Sequence, residues 1–115
     1  MNYVISGKVI RGDGYGRKIG FPTVNLETEK SRTEALPPEG VYRGTVMLNT
    51  EFLTYKAGIV IGPNEKIEAH LIGYKGDAYG KQVTLEIQKF LRKYKKFETE
   101  AELIIQIKKD LQACK

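Results

Sequence analysis

From Val41 to Leu91 the chain repeats one pattern, short runs of β-branched and aromatic residues each cut off by a tight polar or glycine-proline break. Val41–Leu48 ends at Asn49-Thr50 before Phe52–Ile61, and Gly62-Pro63-Asn64-Glu65 separates that run from Lys66–Tyr74. In Lys66–Tyr74, Ile67, Ala69 and Leu71 alternate with Glu68, His70 and Ile72, the period-2 signature of a strand with one buried face. Lys75-Gly76-Asp77 turns the chain into Gln82–Leu91, which alternates through Val83, Leu85, Ile87 and Lys89. Upstream, Tyr3–Ile10 reads as a first strand with a bend or bulge at Gly7, and Ile19, Phe21, Val24 and Leu26 also read as strand. Connections this short join antiparallel strands; parallel strands need long crossovers.

The one helical pattern comes last. Thr99 and Glu102 form a capping box, and Leu103, Ile104, Ile107 and Leu111 recur at helical spacing, which predicts a helix over Thr99–Ala113. About six short strands followed by a helix predict a mainly β chain, an antiparallel sheet closed into a small barrel with the helix packed outside it.

With 115 residues, the chain is expected to form one domain over 1–115. No apolar run approaches a membrane span, and the stretch after Met1 lacks a signal-peptide layout, so a cytoplasmic location and no membrane partner are expected. The single cysteine, Cys114, cannot form an internal disulfide, and with only His70 for company it makes no zinc site. The formal charge of +5 suits a polyanion or a phosphorylated small molecule.

Gly12-Asp13-Gly14-Tyr15-Gly16-Arg17-Lys18-Ile19-Gly20-Phe21-Pro22-Thr23-Val24-Asn25-Leu26 is poorly explained by packing. Such glycines let backbone N–H groups turn toward an anion, although the run fits neither a Walker A loop nor the dinucleotide fingerprint. With strand rather than helix predicted after it, a phosphate here would rely on backbone amides, Arg17, Lys18 and a metal. A mobile hairpin connection explains the glycines equally well. Arg92-Lys93-Tyr94-Lys95-Lys96 reads as a solvated loop in preference to a nucleic-acid patch, and His70 as a structural histidine.

The order of these blocks resembles the riboflavin kinase family over nearly the whole chain. Gly20-Phe21-Pro22-Thr23-Val24-Asn25-Leu26 is followed by Leu36-Pro37-Pro38-Glu39-Gly40-Val41-Tyr42 and Ile67-Glu68-Ala69-His70-Leu71. Then come Gly76-Asp77-Ala78-Tyr79-Gly80-Lys81, Phe90-Leu91-Arg92 with Lys96-Phe97, and Ile107-Lys108-Lys109-Asp110. The resemblance implies a six-stranded antiparallel Greek-key barrel that transfers the γ-phosphate of ATP to the 5′-hydroxyl of riboflavin, giving FMN, with Mg²⁺ as cofactor. It implies that Glu68 is the catalytic base. Thr23 and Asn25 would contact the nucleotide phosphates and Mg²⁺, roles that a hydroxyl and an amide oxygen suit as hard ligands. Gly14, Gly16, Arg17, Lys18 and Gly20 would arch over the phosphates, Arg92 would lie at the flavin, and Asp77, Tyr79 and Gly80 would form a structural turn.

The Gly62–Lys66 turn is shorter than the family usually carries and is expected to reshape one edge of the nucleotide pocket. No adenylyltransferase half accompanies these blocks, so conversion of FMN to FAD is not expected. The expected partners are riboflavin, FMN, ATP and ADP, with no nucleic acid, and the expected state is a monomer. A non-catalytic flavin- or nucleotide-binding barrel and a barrel for single-stranded nucleic acid are the alternatives.

Overall fold

The computed structural model describes residues 3–12, 20–21, 23–27 and 36–115. Six strands, β1 (Tyr3–Ile10), β2 (Val24–Leu26), β3 (Gly40–Leu48), β4 (Leu53–Ile61), β5 (Ile67–Leu71) and β6 (Gln82–Arg92), precede the helix α1 (Glu100–Cys114). All pairings are antiparallel and close a barrel in the order β1-β2-β5-β4-β3-β6. That order bears out the six-stranded Greek-key expectation.

Alternation decides which face goes inside. Ile5, Val46, Leu48, Ile59, Ile67, Val83, Leu85 and Ile87 are almost wholly buried in the barrel, with Ala57 and Ala69 where strands crowd. Tyr42 caps this core, its hydroxyl donating to the Pro38 carbonyl at 2.6 Å and its ring edge-on to Phe90. No helix among the described residues is long and apolar enough to cross a membrane.

Two details differ from the sequence expectation. β1 runs through Gly7 in unbroken register with β6, so of the bend or bulge expected there the bulge is absent; the register shifts lie in β6 opposite β3, where Gln88 and Leu91 are the extra residues. Among the described residues β2 covers Val24–Leu26 and leaves Phe21 outside it, while Ile19 lies outside the described residues.

Gly44 is where β6 presses closest. A methyl group there would collide with the Glu86 carbonyl oxygen and stand 2.8 Å from Ile59 Cδ1, so only glycine fits. The helix begins on the expected cap, Glu102 N–H donating to Thr99 Oγ1 at 3.2 Å. It packs outside the barrel on β3 and β4, burying Cys114 beside Gly58.

Candidate active site

In an antiparallel ladder, residues directly opposite one another put their side chains on the same face. Asn25 of β2 stands opposite Glu68 of β5, Glu68 opposite Val60 of β4, Val60 opposite Val41 of β3, and Val41 opposite Arg92 of β6. Since Ile67, Ala69 and Leu26 point inward, this row lies on the outer face. Three of the residues nominated by the sequence therefore share one line across the barrel. The two extra residues in β6 reverse its alternation twice, leaving Arg92 on that face.

The helix and the chain that leads to it, residues 93–99, convert this face into a cavity of about 400 Å³, inside the range typical of small-molecule sites. Thr23, Glu68 and Arg92 all line it. Phe97, Tyr94, Leu103, Ile107 and Leu111 supply aromatic and aliphatic walls, and Lys95 and Lys96 supply cations. The segment expected to be a solvated loop thus forms one side of the cavity.

Glu68 is half-buried, and its Oε1 accepts from Lys66 Nζ at 2.9 Å. Lys66 closes the short turn expected to reshape the pocket edge, a single 3-10 turn over Pro63–Glu65 with Gly62 N–H donating to the Lys66 carbonyl at 2.8 Å. Gly62 also faces the Tyr94 ring, although none of residues 62–66 lines the cavity itself. His70, one step along β5 on the same outer face, tilts against Phe21 with ring centroids 6.1 Å apart.

Asn25 lies beside the cavity rather than among its lining residues. Its amide rests over Gly12, where any Cβ would overlap Nδ2 and come within 2.7 Å of Cγ. Gly12 is what lets the Asn25 side chain take this place. Thr23 is exposed just before β2, and Gly20 adopts φ +93°. Gly14, Gly16, Arg17 and Lys18 lie outside the described residues. Asp77 and Tyr79 form a structural turn, Tyr79 N–H donating to Asp77 Oδ1 at 2.9 Å ahead of Gly80 at φ +80°.

Arg92 is the most heavily engaged residue of the site. Its Nε donates to Asp110 Oδ1 at 3.0 Å, its Nη2 to Asp110 Oδ2 at 2.8 Å, and its Nη1 to the Lys93 carbonyl at 3.2 Å. Phe97 faces the guanidinium 5.6 Å away, and Gln106 Nε2 donates to Asp110 Oδ1 at 2.9 Å. Sequence reasoning assigned Asp110 no role, although a signal existed. Helical spacing places Asp110 on the stripe of Leu103, Ile107 and Leu111, and an acid on an apolar stripe calls for a cation.

Described residues hold no cluster of three or more acids, histidines or cysteines able to hold a metal. Thr23 and Asn25 offer neutral hard oxygens, which fit a cation that arrives with a polyphosphate better than one bound by the protein alone. A wider groove of about 650 Å³ at the barrel end, lined by Tyr3, Pro37, Tyr42 and Phe90 among others, contains none of the nominated residues and shares only Tyr94 with this site.

The family model for riboflavin kinase, "Flavokinase", matches residues 1–115. A curated bifunctional riboflavin kinase/FMN adenylyltransferase of Escherichia coli (strain K12) is 35% identical over 114 residues, covering 94% of this chain and 36% of the relative. An RNA-binding riboflavin kinase of Bacillus subtilis is 29% identical, covering 94% and 48%. Among solved structures, a riboflavin kinase from Trypanosoma brucei superposes with a TM-score of 0.74 at 26% identity, covering 98% of this chain and 74% of that one. A Streptococcus pneumoniae chain described as a macrolide-efflux protein reaches 0.88 at 27% identity, covering 96% and 38%. The chain belongs to the riboflavin kinase family. It spans little more than a third of the length of the bifunctional relatives it matches.

Proposed function

We propose that this chain transfers the γ-phosphate of ATP to the 5′-hydroxyl of riboflavin, releasing FMN and ADP. The observation that carries the reading is the meeting of Thr23, Glu68 and Arg92 on one cavity walled by Phe97, Tyr94 and the helix. That cavity offers a planar ring system aromatic and aliphatic contacts, a guanidinium and, at one margin, a carboxylate.

Phosphoryl transfer asks for positioning and charge stabilisation more than covalent chemistry. Glu68 orients the ribityl hydroxyl and accepts its proton as the hydroxyl oxygen bonds to the γ-phosphorus and the bond to the ADP oxygen breaks. Thr23 and Asn25 hold the phosphate oxygens and Mg²⁺, which supplies charge neutralisation when bound. Gly14, Gly16, Arg17, Lys18 and Gly20 donate from the loop above the phosphates, and Arg92 binds the flavin. Residues 1–115 act as one catalytic unit, monomeric and cytoplasmic.

Nucleic acid is not a partner in this reading, since Lys95 and Lys96 line the cavity. Oligonucleotide retention with a steep salt dependence would contradict that part. The reaction is tested by incubating the chain with riboflavin and Mg-ATP and separating flavins by chromatography. FMN should accumulate with time; riboflavin that is bound, with fluorescence quenched, yet never phosphorylated by any nucleoside triphosphate would favour a binding barrel instead.

A further inference from the structure

We propose that Asp110, on the helix, is a positioning residue for flavin recognition, acting through Arg92; this rests on the kinase reading above. A guanidinium carries five N–H donors in a rigid plane, and which of them a ligand meets depends on how that plane is held. Here Asp110 takes Nε and one N–H of Nη2 in a two-pronged grip, and the Lys93 carbonyl takes one N–H of Nη1. Among the described residues, that leaves one N–H on each terminal nitrogen unspent at a side chain that lines the cavity. A flat ligand edge with acceptor oxygens can take these remaining donors from a guanidinium whose plane is already fixed.

The grip is itself anchored. Gln106, one helical turn before Asp110, donates to the same carboxylate, whose side chain is only 12% exposed, and Phe97 covers the guanidinium. Arg92 comes from the barrel and Asp110 from the helix, so the pair joins the two walls of the cavity. Without the carboxylate, the guanidinium keeps its charge but loses its fixed plane.

The full chain carrying Asp110→Asn, Asp110→Glu, Arg92→Ala or the pair Asp110→Asn/Arg92→Ala is compared with the wild type. Riboflavin binding is read by fluorescence quenching, KM for each substrate by FMN formation, and folding by the thermal midpoint. Asp110→Asn should weaken riboflavin binding by roughly tenfold or more, the scale of a lost charged hydrogen bond. KM for riboflavin should rise in step while KM for ATP stays unchanged. Asp110→Glu should recover part of the loss, and Arg92→Ala should add little to Asp110→Asn. Wild-type riboflavin affinity in Asp110→Asn would overturn the proposal. So would equal losses for both substrates accompanied by a lowered thermal midpoint, the mark of a merely structural pair. If the wild type binds riboflavin without making FMN, the kinase reading falls and the quenching series still decides the role of Asp110; if it binds no riboflavin, both fall.

Discussion

Asn25 and Glu68 face each other directly across the β2–β5 ladder, though 43 positions apart in the chain. Such partners hold their Cβ atoms about 4.5–5.5 Å apart on one face. The residue proposed to meet the phosphates and the residue proposed to take the hydroxyl proton are thereby held side by side, on strands fixed by the buried pair Leu26 and Ile67 one position along. The ladder fixes the spacing of these two side chains before any ligand arrives.

Glu68→Gln keeps the shape and removes the proton acceptor. Turnover should fall by about 10²–10⁴-fold, with ATP binding and the thermal midpoint close to wild type. Steady-state rates alongside nucleotide titration check this, and full activity would remove Glu68 from its role.

Gly12→Ala acts through Asn25. The added methyl would occupy the space of the Asn25 amide, so the side chain must leave its place beside Glu68. Apparent Mg²⁺ affinity in the kinase assay should weaken by roughly tenfold, the usual scale for a displaced supporting group, while riboflavin quenching is unaffected.

Gly44→Ala tests the barrel rather than the site. The methyl would meet the Glu86 carbonyl, backbone that cannot swing aside, and a strand separation is the only relief. A loss of about 1–3 kcal/mol or more is expected from urea midpoints at constant slope.

Alkaline pH should destabilise the fold with a sign set by Cys114 and Tyr42. Burial pushes the Cys114 thiol up, with Asp110 adding and Arg43 opposing; burial also raises Tyr42, with Tyr3 adding. Both groups keep their protons in the folded state at a pH where the unfolded chain releases them. Their contribution is complete below the ordinary thiol and phenol values and is lost as pH rises through the raised folded ones. Stability should decline as pH rises past the ordinary thiol and then the ordinary phenol value, and Cys114→Ser should flatten the earlier part of that decline. An unchanged profile in the serine variant would show that the thiol is not a cause.

The strands were legible because a barrel with one wet face imposes period 2 on each of them, as Ile67, Ala69 and Leu71 or Val83, Leu85 and Ile87 show. The helix was legible from Thr99 and its apolar stripe. Register was not. The extra residues at Gln88 and Leu91 arise when β6 must match β3 and close the barrel, a constraint with no local mark, whereas Gly7, read as a bend or a bulge, brings no register shift to β1. The site divides the same way. Thr23, Asn25, Glu68 and Arg92 could each be nominated singly, but the row that joins Asn25, Glu68 and Arg92 is a property of four ladders together. Tyr94 and Phe97 could be picked out as aromatics in a basic run, but the lysines around Tyr94 gave that run the composition of a solvated loop, and its place on the cavity wall had no local mark.

The most direct measurement follows the phosphorus itself. With ATP labelled at the γ-phosphate, the account predicts that the wild-type chain moves label into FMN in step with ADP formation, and that Glu68→Gln slows both together. Release of the label as inorganic phosphate at the same rate with or without riboflavin, and none in flavin, would contradict it.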